Sequence, residues 1–543
     1  FYTLILFNCQ KFFDQSLPKY DIYDYIIVGS GSAGSTIASG LKGKVLLLEA
    51  GSNGDNFLLN IPILQPLLQG SPFDWNFKTS SQENSCLALQ ENQNSWPIGK
   101  IFGGTHQLNN MIYHRGHYDD YKWLIDKKKA EKVYKDYEEN IPIDQGKFVS
   151  IISTAFVEGG KEMGFEDFSY TNLTHLNGGR FTQINNWNKL ENSPETCLNA
   201  IVSRVLFDEK NPKKAIGVEF LKKGKLHNVY GRKIILSAGT VGSPKILLHS
   251  GIGPEEHLTE VRIKCRENLP VGENLQDHVT TGLDLIILNQ TLGLSINDIV
   301  NPFKVADFFW FNGDGSPLAL AGCDAMGFVK LNRSNEVPDL SFMLLPVGLI
   351  ADYGLHLRKI TNIRDEVWEK YFKPLIGQTT ISILPVLLHP KSKGTLRLKS
   401  KNFLDSPVIN PNYLDNKDDI RKLISGIRII EKLIETPSMK KFGAEINPKH
   451  FPGCENFFLD SNDYWECYIR HMTMTMFHPV GTCKAGNYED TSTVVLKNFQ
   501  VKNIENLFVV DGSIIPQSPS ANPHGVIAMI AQKFVNDMIS TSP

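Results

Sequence analysis

The feature that most constrains the fold is a glycine-rich turn between an apolar run and a helix-compatible segment. Tyr23–Val28 is rich in β-branched and aromatic residues, which predicts a buried strand. Gly29, Gly31 and Gly34 follow in the pattern G-x-G-x-x-G, and the residues after them are small and helix-compatible. The first glycine permits a tight turn, the second lets a phosphate approach the backbone, and the third lets the helix pack on the strand. The spacing therefore predicts the first unit of a dinucleotide-binding sheet.

A second strand brings an acidic residue to the same edge. Val45–Leu48 is apolar, and Glu49 stands at its carboxyl end, where it can accept a hydrogen bond from a ribose hydroxyl. A pyrophosphate would lie at the helix N-terminus, where free N–H groups and the helix dipole favour negative charge. A tight turn without any ligand is the alternative. The order of strand, helix, second strand and acidic residue favours dinucleotide binding but leaves NAD and FAD open.

Composition and charge exclude several other classes of function. The chain has 543 residues, of which 41% are hydrophobic and 21% charged, and its formal net charge is −2. The length predicts more than one domain, and the composition is ordinary for a globular protein. A nearly neutral chain has no electrostatic footprint for nucleic acid or an anionic membrane. No apolar run approaches the roughly 18 residues that indicate a membrane span.

The first twenty residues are expected to form an N-terminal extension. Phe1–Phe7 is apolar enough to be the remnant of a signal peptide. It lacks a basic segment and a small-residue cleavage site, so an amphipathic helix is the preferred interpretation. The eight cysteines show neither C-x-x-C nor zinc-ligand spacing, and no metal site is expected. Their even number permits disulfides without fixing the pairing.

Segments of the dinucleotide-binding domain recur late in the chain. Lys233–Leu236 leads into the glycine-rich residues 237–253, and Leu507–Val510 leads into residues 511–525. Residues 300–475 contain alternating stretches that suggest a separate sheet, which would cover the cofactor and shape a substrate pocket. The boundaries expected for the dinucleotide-binding domain are 21–125, 195–290 and 476–543, and those for the substrate-binding domain are 126–194 and 291–475.

Several longer motifs then identify a resemblance. They are GKIFGGTHQLNNMIYHRG (99–116), SAGTVGSPKILLHSGIG (237–253), LPVGENLQDH (269–278), MFHPVGTCKAG (476–486) and VVDGSIIP (509–516). In this order they resemble the glucose–methanol–choline (GMC) oxidoreductases, which bind FAD. FDWNFKTSSQ (73–82) and residues 394–414 resemble arthropod members. The resemblance implies a fold of mixed α/β and α+β class, with a discontinuous Rossmann-like FAD-binding domain and a substrate-binding domain built on an antiparallel sheet.

The resemblance also implies which residues contact FAD. The first glycine loop and Glu49 would hold the pyrophosphate and the adenosine ribose, Val202 would lie at the adenine, and the later motifs would line the flavin. The expected contacts are Gly29, Ser30, Gly31, Ser32, Ala33, Gly34, Glu49, Ala50, Gly103, Gly104, Asn109, Met111, Val202, Ala238, Gly239, Asp511, Gly512, Asn522 and Pro523.

The expected catalytic base is His478, in the motif F-H-P-V-G-T. Hydride transfer from an alcohol needs a base for the hydroxyl proton, and the unperturbed pKa of histidine lies near working pH. Asn522 matches the family's second active-site position and would hydrogen-bond the substrate oxygen, with His524 as the alternative. Some members attach FAD covalently to a histidine directly before Asn109. Leu108 stands there and His106 lies too early, so non-covalent FAD is expected.

The substrate is expected to be a small alcohol. Phe477 precedes the base, as in members that oxidise aromatic alcohols, and could stack on an aryl ring. Asp307–Phe311 could add pocket wall or belong to the core. N-P-x-G at residues 522–525 resembles hydroxynitrile lyases, which suggests a mandelonitrile-like cyanohydrin. Oxygen is the expected electron acceptor, giving hydrogen peroxide.

Three alternatives remain beside this prediction. They are a redox-silent hydroxynitrile lyase, a glucose dehydrogenase-like enzyme that uses a quinone, and a catalytically silent protein that retains the fold. Sequons occur at Asn172, Asn289 and Asn332 but carry little weight in so Asn-rich a chain, and a secreted glycoprotein is expected chiefly from the resemblance.

Overall fold

Two large sheets dominate the architecture. The computed structural model describes residues 17–54, 57–190, 193–292, 301–310 and 313–541. The helix proposed for Phe1–Phe7 lies outside these residues, as does Phe311 of the aromatic run.

Seven strands of the described residues form the first sheet. Ile22–Val28 lies at its centre and pairs in parallel with Lys225–Leu236 on one side and Val45–Leu48 on the other. Ile26 and Leu46 have no solvent exposure, because the apolar strands are covered on both faces. The strands are Ile22–Val28, Val45–Leu48, Glu195–Cys197, Ile201–Phe207, Ala215–Lys222, Lys225–Leu236 and Leu507–Val509. They come from three separated parts of the chain, so the predicted discontinuous domain is confirmed.

The second sheet is antiparallel, as predicted. Its described strands are Phe168–Tyr170, Val279–Thr280, Ile286–Leu288, Ala325–Val329, Leu340–Leu345, Thr379–Leu387, Glu445–Ile446 and Met474–Thr475. Met343, Leu345, Ser382 and Leu384 line a large cavity between the two sheets. They alternate along two neighbouring strands, which brings their side chains to one face.

The expected boundary at residue 290 is wrong. Val279 pairs with Leu387 and Thr475, and Ile286–Leu288 also pairs within the second sheet. The chain therefore passes to the substrate-binding side before Val279. These short strands carry no signal that distinguishes one sheet from the other, since their membership is set by long-range partners.

Helices cover both sheets. Ser32–Gly40 packs against the C-terminal helix His524–Thr541, and a Cβ at Gly40 would lie 2.5 Å from Val535 Cγ1, so glycine permits this close approach. The described α-helices are Ser32–Gly40, Lys127–Glu138, Ile151–Glu162, Gly239–His249, Glu255–Glu260, Pro302–Trp310, Leu357–Ile360, Asp365–Val367, Lys417–Ile434, Pro437–Lys440, Asn462–His471 and His524–Thr541. Among the described helices, none combines the length and apolar composition needed to cross a bilayer.

Small ladders complete the described architecture. The remaining strands are Phe77–Lys78 with Ser95–Trp96, Ile143–Gln145 with Asn172–Leu176 and Gly179–Arg180, Thr395–Arg397 with Val408–Asn410, and Ala485–Gly486 with Val495–Leu496.

One cysteine pair is bonded in the described residues. Cys454 and Cys467 form a disulfide with their Cα atoms 5.8 Å apart. His471 lies beside both sulfur atoms, but the disulfide leaves neither sulfur as a thiolate ligand for a metal.

Candidate active site

The three glycines of the first turn occupy different environments. Gly29 has φ +97°, and a Cβ there would lie 2.4 Å from the carbonyl oxygen of Ser237. A Cβ at Gly34 would lie 1.9 Å from the carbonyl oxygen of Gly29, so helix and turn touch through backbone. A Cβ at Gly31 would meet no protein atom within 4 Å and would enter the cavity. Gly31 therefore leaves room for a ligand, whereas the other two leave room for protein.

Glu49 organises this turn from the second strand. Its Oε2 accepts hydrogen bonds from the Ser30 backbone N at 2.9 Å and the Ser30 hydroxyl at 2.6 Å, and its Oε1 accepts one from Gly51 N at 2.8 Å. Burial raises the pKa of the carboxyl group, while these donors lower it. The carboxyl group lines the cavity and Oε1 retains a lone pair, so it can still accept a ribose hydroxyl.

The second glycine pair is locked onto the first. Gly103 N donates to the Ser30 hydroxyl at 3.0 Å, and a Cβ at Gly104 would lie 2.6 Å from Gly31 Cα. Gly104 lines the cavity, but Gly103 does not. The two loops form one continuous wall only because both lack side chains at the contact.

Asn109 and Met111 lie at different depths. Asn109 lines the cavity, and its Oδ1 accepts hydrogen bonds from Met111 N at 2.9 Å and the Arg180 guanidinium at 3.0 Å. Met111 is buried behind it, among apolar side chains. Met111 does not line the cavity, because its side chain packs into this apolar cluster, so the expected cofactor contact of Met111 is not seen there.

Asp511 fixes the third loop. Its Oδ2 accepts from Gly239 N at 2.9 Å and the Ser243 hydroxyl at 2.5 Å, and its Oδ1 accepts from the Ser513 backbone and hydroxyl. Burial raises the pKa of this carboxyl group. The side chain therefore holds the loop, and the neighbouring Gly512 also lines the cavity.

Three helix N-termini meet the cavity. They are those of Ser32–Gly40, Gly239–His249 and His524–Thr541, whose first residues line its wall. Neither Gly31 nor Ala238, at the N-cap positions of the first two, supplies a capping side chain. Gly239 N of the second helix is bound by Asp511 Oδ2, whereas the first-turn N–H groups and dipole of Ser32–Gly40 make its end of the wall favourable for phosphate.

Sixteen of the nineteen expected cofactor contacts line a single cavity of about 1260 Å³. Gly34, Gly103 and Met111 are the exceptions. The volume exceeds the roughly 300–1,000 Å³ of drug-sized pockets, so a dinucleotide and a substrate can share it. The open cradle at Gly31 and the N-terminus of Ser32–Gly40 fit FAD, for which Glu49 would hold the ribose and Asn522 would line the flavin.

His478 and Asn522 come together at the cavity wall. Asn522 Nδ2 lies 3.0 Å from His478 Nε2, and both residues line the cavity. Burial lowers the pKa of His478 to about 3, so the imidazole is neutral at working pH. The neutral imidazole can accept a hydroxyl proton while the amide holds the oxygen, but its lowered pKa makes it a weaker base than the histidine of pKa near working pH expected from the sequence.

His524 is directed elsewhere. Its Nδ1 lies 3.0 Å from the Ser32 hydroxyl, and its ring lies against that of His106, with centroids 4.1 Å apart. His106 Nε2 lies 3.0 Å from the Thr174 hydroxyl. Burial lowers the pKa of His524 to about 4. His524 therefore lines the cavity beside the first glycine loop, while Asn522 is the partner of His478.

Phe477 adopts a left-handed backbone next to the base. Its φ is +60°, a conformation that costs roughly 1–2 kcal/mol for a side chain of this kind. Phe477 N donates to the Thr475 hydroxyl at 2.8 Å, and that hydroxyl donates to Asp277 Oδ2 at 2.6 Å. Asp277 Oδ1 also accepts His478 N at 2.9 Å, so one buried carboxyl group closes the turn. Burial raises the pKa of Asp277 to about 6.

Sequence reasoning missed the residues behind His478. His278 Nδ1 lies 2.9 Å from His478 Nδ1, and Asp277 holds the backbone of the same histidine. Both stand at the end of LPVGENLQDH (269–278), a motif in which the sequence alone predicts no site residue. The adjacent Asp277 and His278, which lie in one of the motifs that carry the family resemblance, were the sequence feature that could have identified them.

Two basic residues of the cavity were also missed. Lys245 and His249 lie one turn apart on the helix Gly239–His249, and both line the cavity. Burial lowers the pKa of Lys245 to about 8 and that of His249 to about 4. Because the neighbouring residues in the sequence are apolar, nothing in the sequence indicated that this face of the helix lines a cavity.

The aromatic run contributes to packing rather than to the pocket. Phe308 is buried in a cluster with Leu58, Leu64 and Leu318, and the same helix presents Val305 to the cavity. Asp307–Trp310, the described part of the run, does not line the cavity. The pocket wall suggested for these residues is therefore not formed, since helical spacing turns Phe308 into the core.

Comparisons with known proteins agree with this geometry. A family model described as GMC oxidoreductase matches residues 23–280, and its C-terminal counterpart matches residues 390–531. "Glucose dehydrogenase [FAD, quinone]" of Drosophila melanogaster is 31% identical, with 96% of this chain and 87% of that protein covered. "Alcohol dehydrogenase [acceptor]" of Pseudomonas putida is 32% identical, with 94% of each covered. A fungal aryl-alcohol oxidase structure has a TM-score of 0.74 at 20% identity, covering 96% of this chain and 99% of that one.

Proposed function

Because the chain belongs to the GMC oxidoreductase family, whose members bind FAD and act on alcohols and sugars, we propose that it oxidises small aromatic alcohols. The observation that carries this proposal is the contact between the neutral His478 and Asn522 at the wall of the cofactor cavity. It supplies a base and a donor at the place where an alcohol would meet FAD.

The reaction divides one alcohol into a proton, a hydride and a carbonyl. Bound FAD supplies the acceptor for the hydride that leaves the carbinol carbon. His478 takes the hydroxyl proton, and Asn522 donates a hydrogen bond to the substrate oxygen as negative charge develops on it. The product is an aldehyde or ketone, or an acyl cyanide where the substrate is a cyanohydrin.

The side chains around the base support an apolar substrate. Met343, Leu345 and Leu384 of the second sheet face the cavity, and Met476 and Phe477, which directly precede His478 in the sequence, line it too. An aromatic ring gains from burial against such walls and from stacking on Phe477.

Asp352 also lines the cavity, and its carboxyl group organises the loop that follows it. Its Oδ1 accepts from Gly354 N at 2.9 Å, and its Oδ2 accepts from the backbone N of His356 at 2.6 Å and of Leu357 at 2.8 Å. These bonds tie the carboxylate to its own loop.

Benzyl alcohol and mandelonitrile test the substrate class. Anaerobic addition of either to the purified holoenzyme is expected to bleach the oxidised-flavin absorbance. Readmitted oxygen or an added quinone then identifies the acceptor by the rate of flavin reoxidation. Oxygen is the acceptor proposed, whereas the name of the Drosophila melanogaster relative specifies a quinone.

A cyanohydrin lyase is the second candidate, supported by N-P-x-G at residues 522–525. If mandelonitrile releases benzaldehyde and cyanide while the flavin remains oxidised, the enzyme is a lyase and the proposed oxidation is wrong. Glucose that bleaches the flavin when both aromatic compounds fail would instead support a sugar dehydrogenase.

We also propose that FAD is held without a covalent bond. Leu108 is buried directly before Asn109 and offers no nucleophile. His106 Nε2 lies against Thr174 rather than standing free. Acid precipitation of the holoenzyme is expected to leave the yellow colour in the supernatant, and a yellow pellet would contradict this.

A secreted location is supported by two observations. The disulfide Cys454–Cys467 is typical of oxidising compartments, and the sequon residues Asn172, Asn289 and Asn332 are all exposed. A mass decrease after glycosidase treatment of the native protein would support glycosylation, and an unchanged mass would count against it.

A further inference from the structure

A chain of hydrogen-bonding groups runs from the cavity into the core through two histidines. Asn522 Nδ2 lies 3.0 Å from His478 Nε2, and His478 Nδ1 lies 2.9 Å from His278 Nδ1. At the inner end, His278 Nε2 lies 2.9 Å from the carbonyl oxygen of Pro519. His278 has no solvent exposure and does not line the cavity.

The inner end determines where every proton lies. A carbonyl oxygen only accepts, so His278 Nε2 carries the hydrogen. Burial holds the pKa of His278 well below its ordinary value, so the ring is neutral and its Nδ1 is a bare acceptor. His478 Nδ1 must then donate to it, which leaves the lone pair of His478 on Nε2. The Asn522 amide N–H at that position agrees with this assignment.

We propose that His278 is a positioning residue that fixes the tautomer of His478, so that Nε2 is the bare nitrogen that faces the substrate. This inference rests on the proposed function of His478 as the base. The opposite tautomer would present an N–H to the alcohol and could not take its proton.

The same contact responds to proton transfer. Once Nε2 takes the hydroxyl proton, the ring is cationic and its Nδ1–H donates to His278 as a charge-assisted hydrogen bond, which is stronger than a neutral one. The contact therefore stabilises the transition state more than the ground state, which raises the rate without tightening substrate binding.

The backbone keeps the two rings in register. Asp277, the neighbour of His278, accepts the backbone N–H of His478 at 2.9 Å. Pro519 and Asn522 belong to one short loop, which contacts the chain of histidines at both ends. Rotation of either ring would break contacts in two segments at once.

Two substitutions separate positioning from packing. In His278→Leu the acceptor is lost, and the rate constant for anaerobic flavin reduction by the best alcohol is expected to fall about 10²- to 10⁴-fold, the upper figure being that of a wrong-tautomer histidine in a hydrolase triad. The substrate concentration for half-maximal reduction should change little, because His278 lies outside the cavity. In His278→Asn an oxygen can occupy the place of Nδ1, and the rate is expected within roughly tenfold of wild type.

Nitrogen-15 NMR of histidine-labelled wild-type holoenzyme tests the tautomer without any substrate. We expect a protonated Nδ1 and a bare Nε2 for His478, assigned by loss of its signals in His478→Ala. A protonated Nε2 would overturn the inference even if the enzyme oxidises alcohols. The expected pattern in an enzyme that no alcohol reduces would instead uphold the tautomer and reject the proposed function. Equal reduction rates in wild type and a folded, FAD-loaded His278→Leu would also overturn it.

Discussion

Replacing Gly31 by alanine should remove FAD affinity and leave the apoprotein intact. A Cβ at this position meets no protein atom within 4 Å and enters the cavity at the N-terminus of Ser32–Gly40. The backbone has φ −62° and ψ −172°, which alanine adopts without strain. The free energy of unfolding of the apoprotein should therefore change by no more than about 1 kcal/mol.

The loss of affinity follows from the phosphate contacts that the methyl group would displace. A hydrogen bond to a charged group contributes about 1.5–3 kcal/mol. If the methyl group prevents two first-turn N–H groups from reaching a phosphate, binding weakens by about 3–6 kcal/mol, or roughly 10²- to 10⁴-fold. Titration of the apoprotein with FAD, followed by flavin fluorescence, measures this directly.

Two matched glycines serve as controls. Gly34→Ala would bring a Cβ to 1.9 Å from the Gly29 carbonyl oxygen and should destabilise the apoprotein itself, by about 3 kcal/mol or more. Gly315 is exposed, away from the cavity wall and free of contacts at its Cβ position, so Gly315→Ala should alter neither property. Wild-type FAD affinity in Gly31→Ala would refute the placement of the pyrophosphate at this helix.

Three further outcomes are expected. His478→Ala should keep bound FAD and lose about 10²- to 10⁴-fold in the rate of flavin reduction, and unchanged turnover would remove this base from the mechanism. Because the reactive imidazole is the neutral form and its pKa is lowered to about 3, kcat/KM should not fall as the pH drops from about 8 to about 5; a midpoint near 6.5 would indicate a histidine of ordinary pKa. Reduction of Cys454–Cys467 should lower the free energy of unfolding by about 3 kcal/mol and lower Tm, with the double serine variant insensitive to reductant; equal sensitivity of the variant would place the effect at another bond.

The sequence by itself determined the cofactor site, because that site is built from backbone. Gly29, Gly31 and Gly34 are recognisable from the sequence alone, since each is required by a local turn or by the close approach of backbone or ligand. Glu49 follows at the end of the next strand for the same reason. The resemblance extended this to His478 and Asn522, whose motifs are continuous in the chain.

Tertiary structure alone decided which side chains act on one another. Nothing in the sequence joins His278 to His478, which are 200 positions apart, or His278 to Pro519. For the same reason the sequence could not show which cysteine bonds to Cys454, or to which sheet Val279 belongs. Such pairings depend on long-range packing, which a local pattern does not encode. The base proposed here, His478, is recognisable in the sequence, but the tautomer proposed for it depends on the Pro519 carbonyl oxygen, which acts through His278.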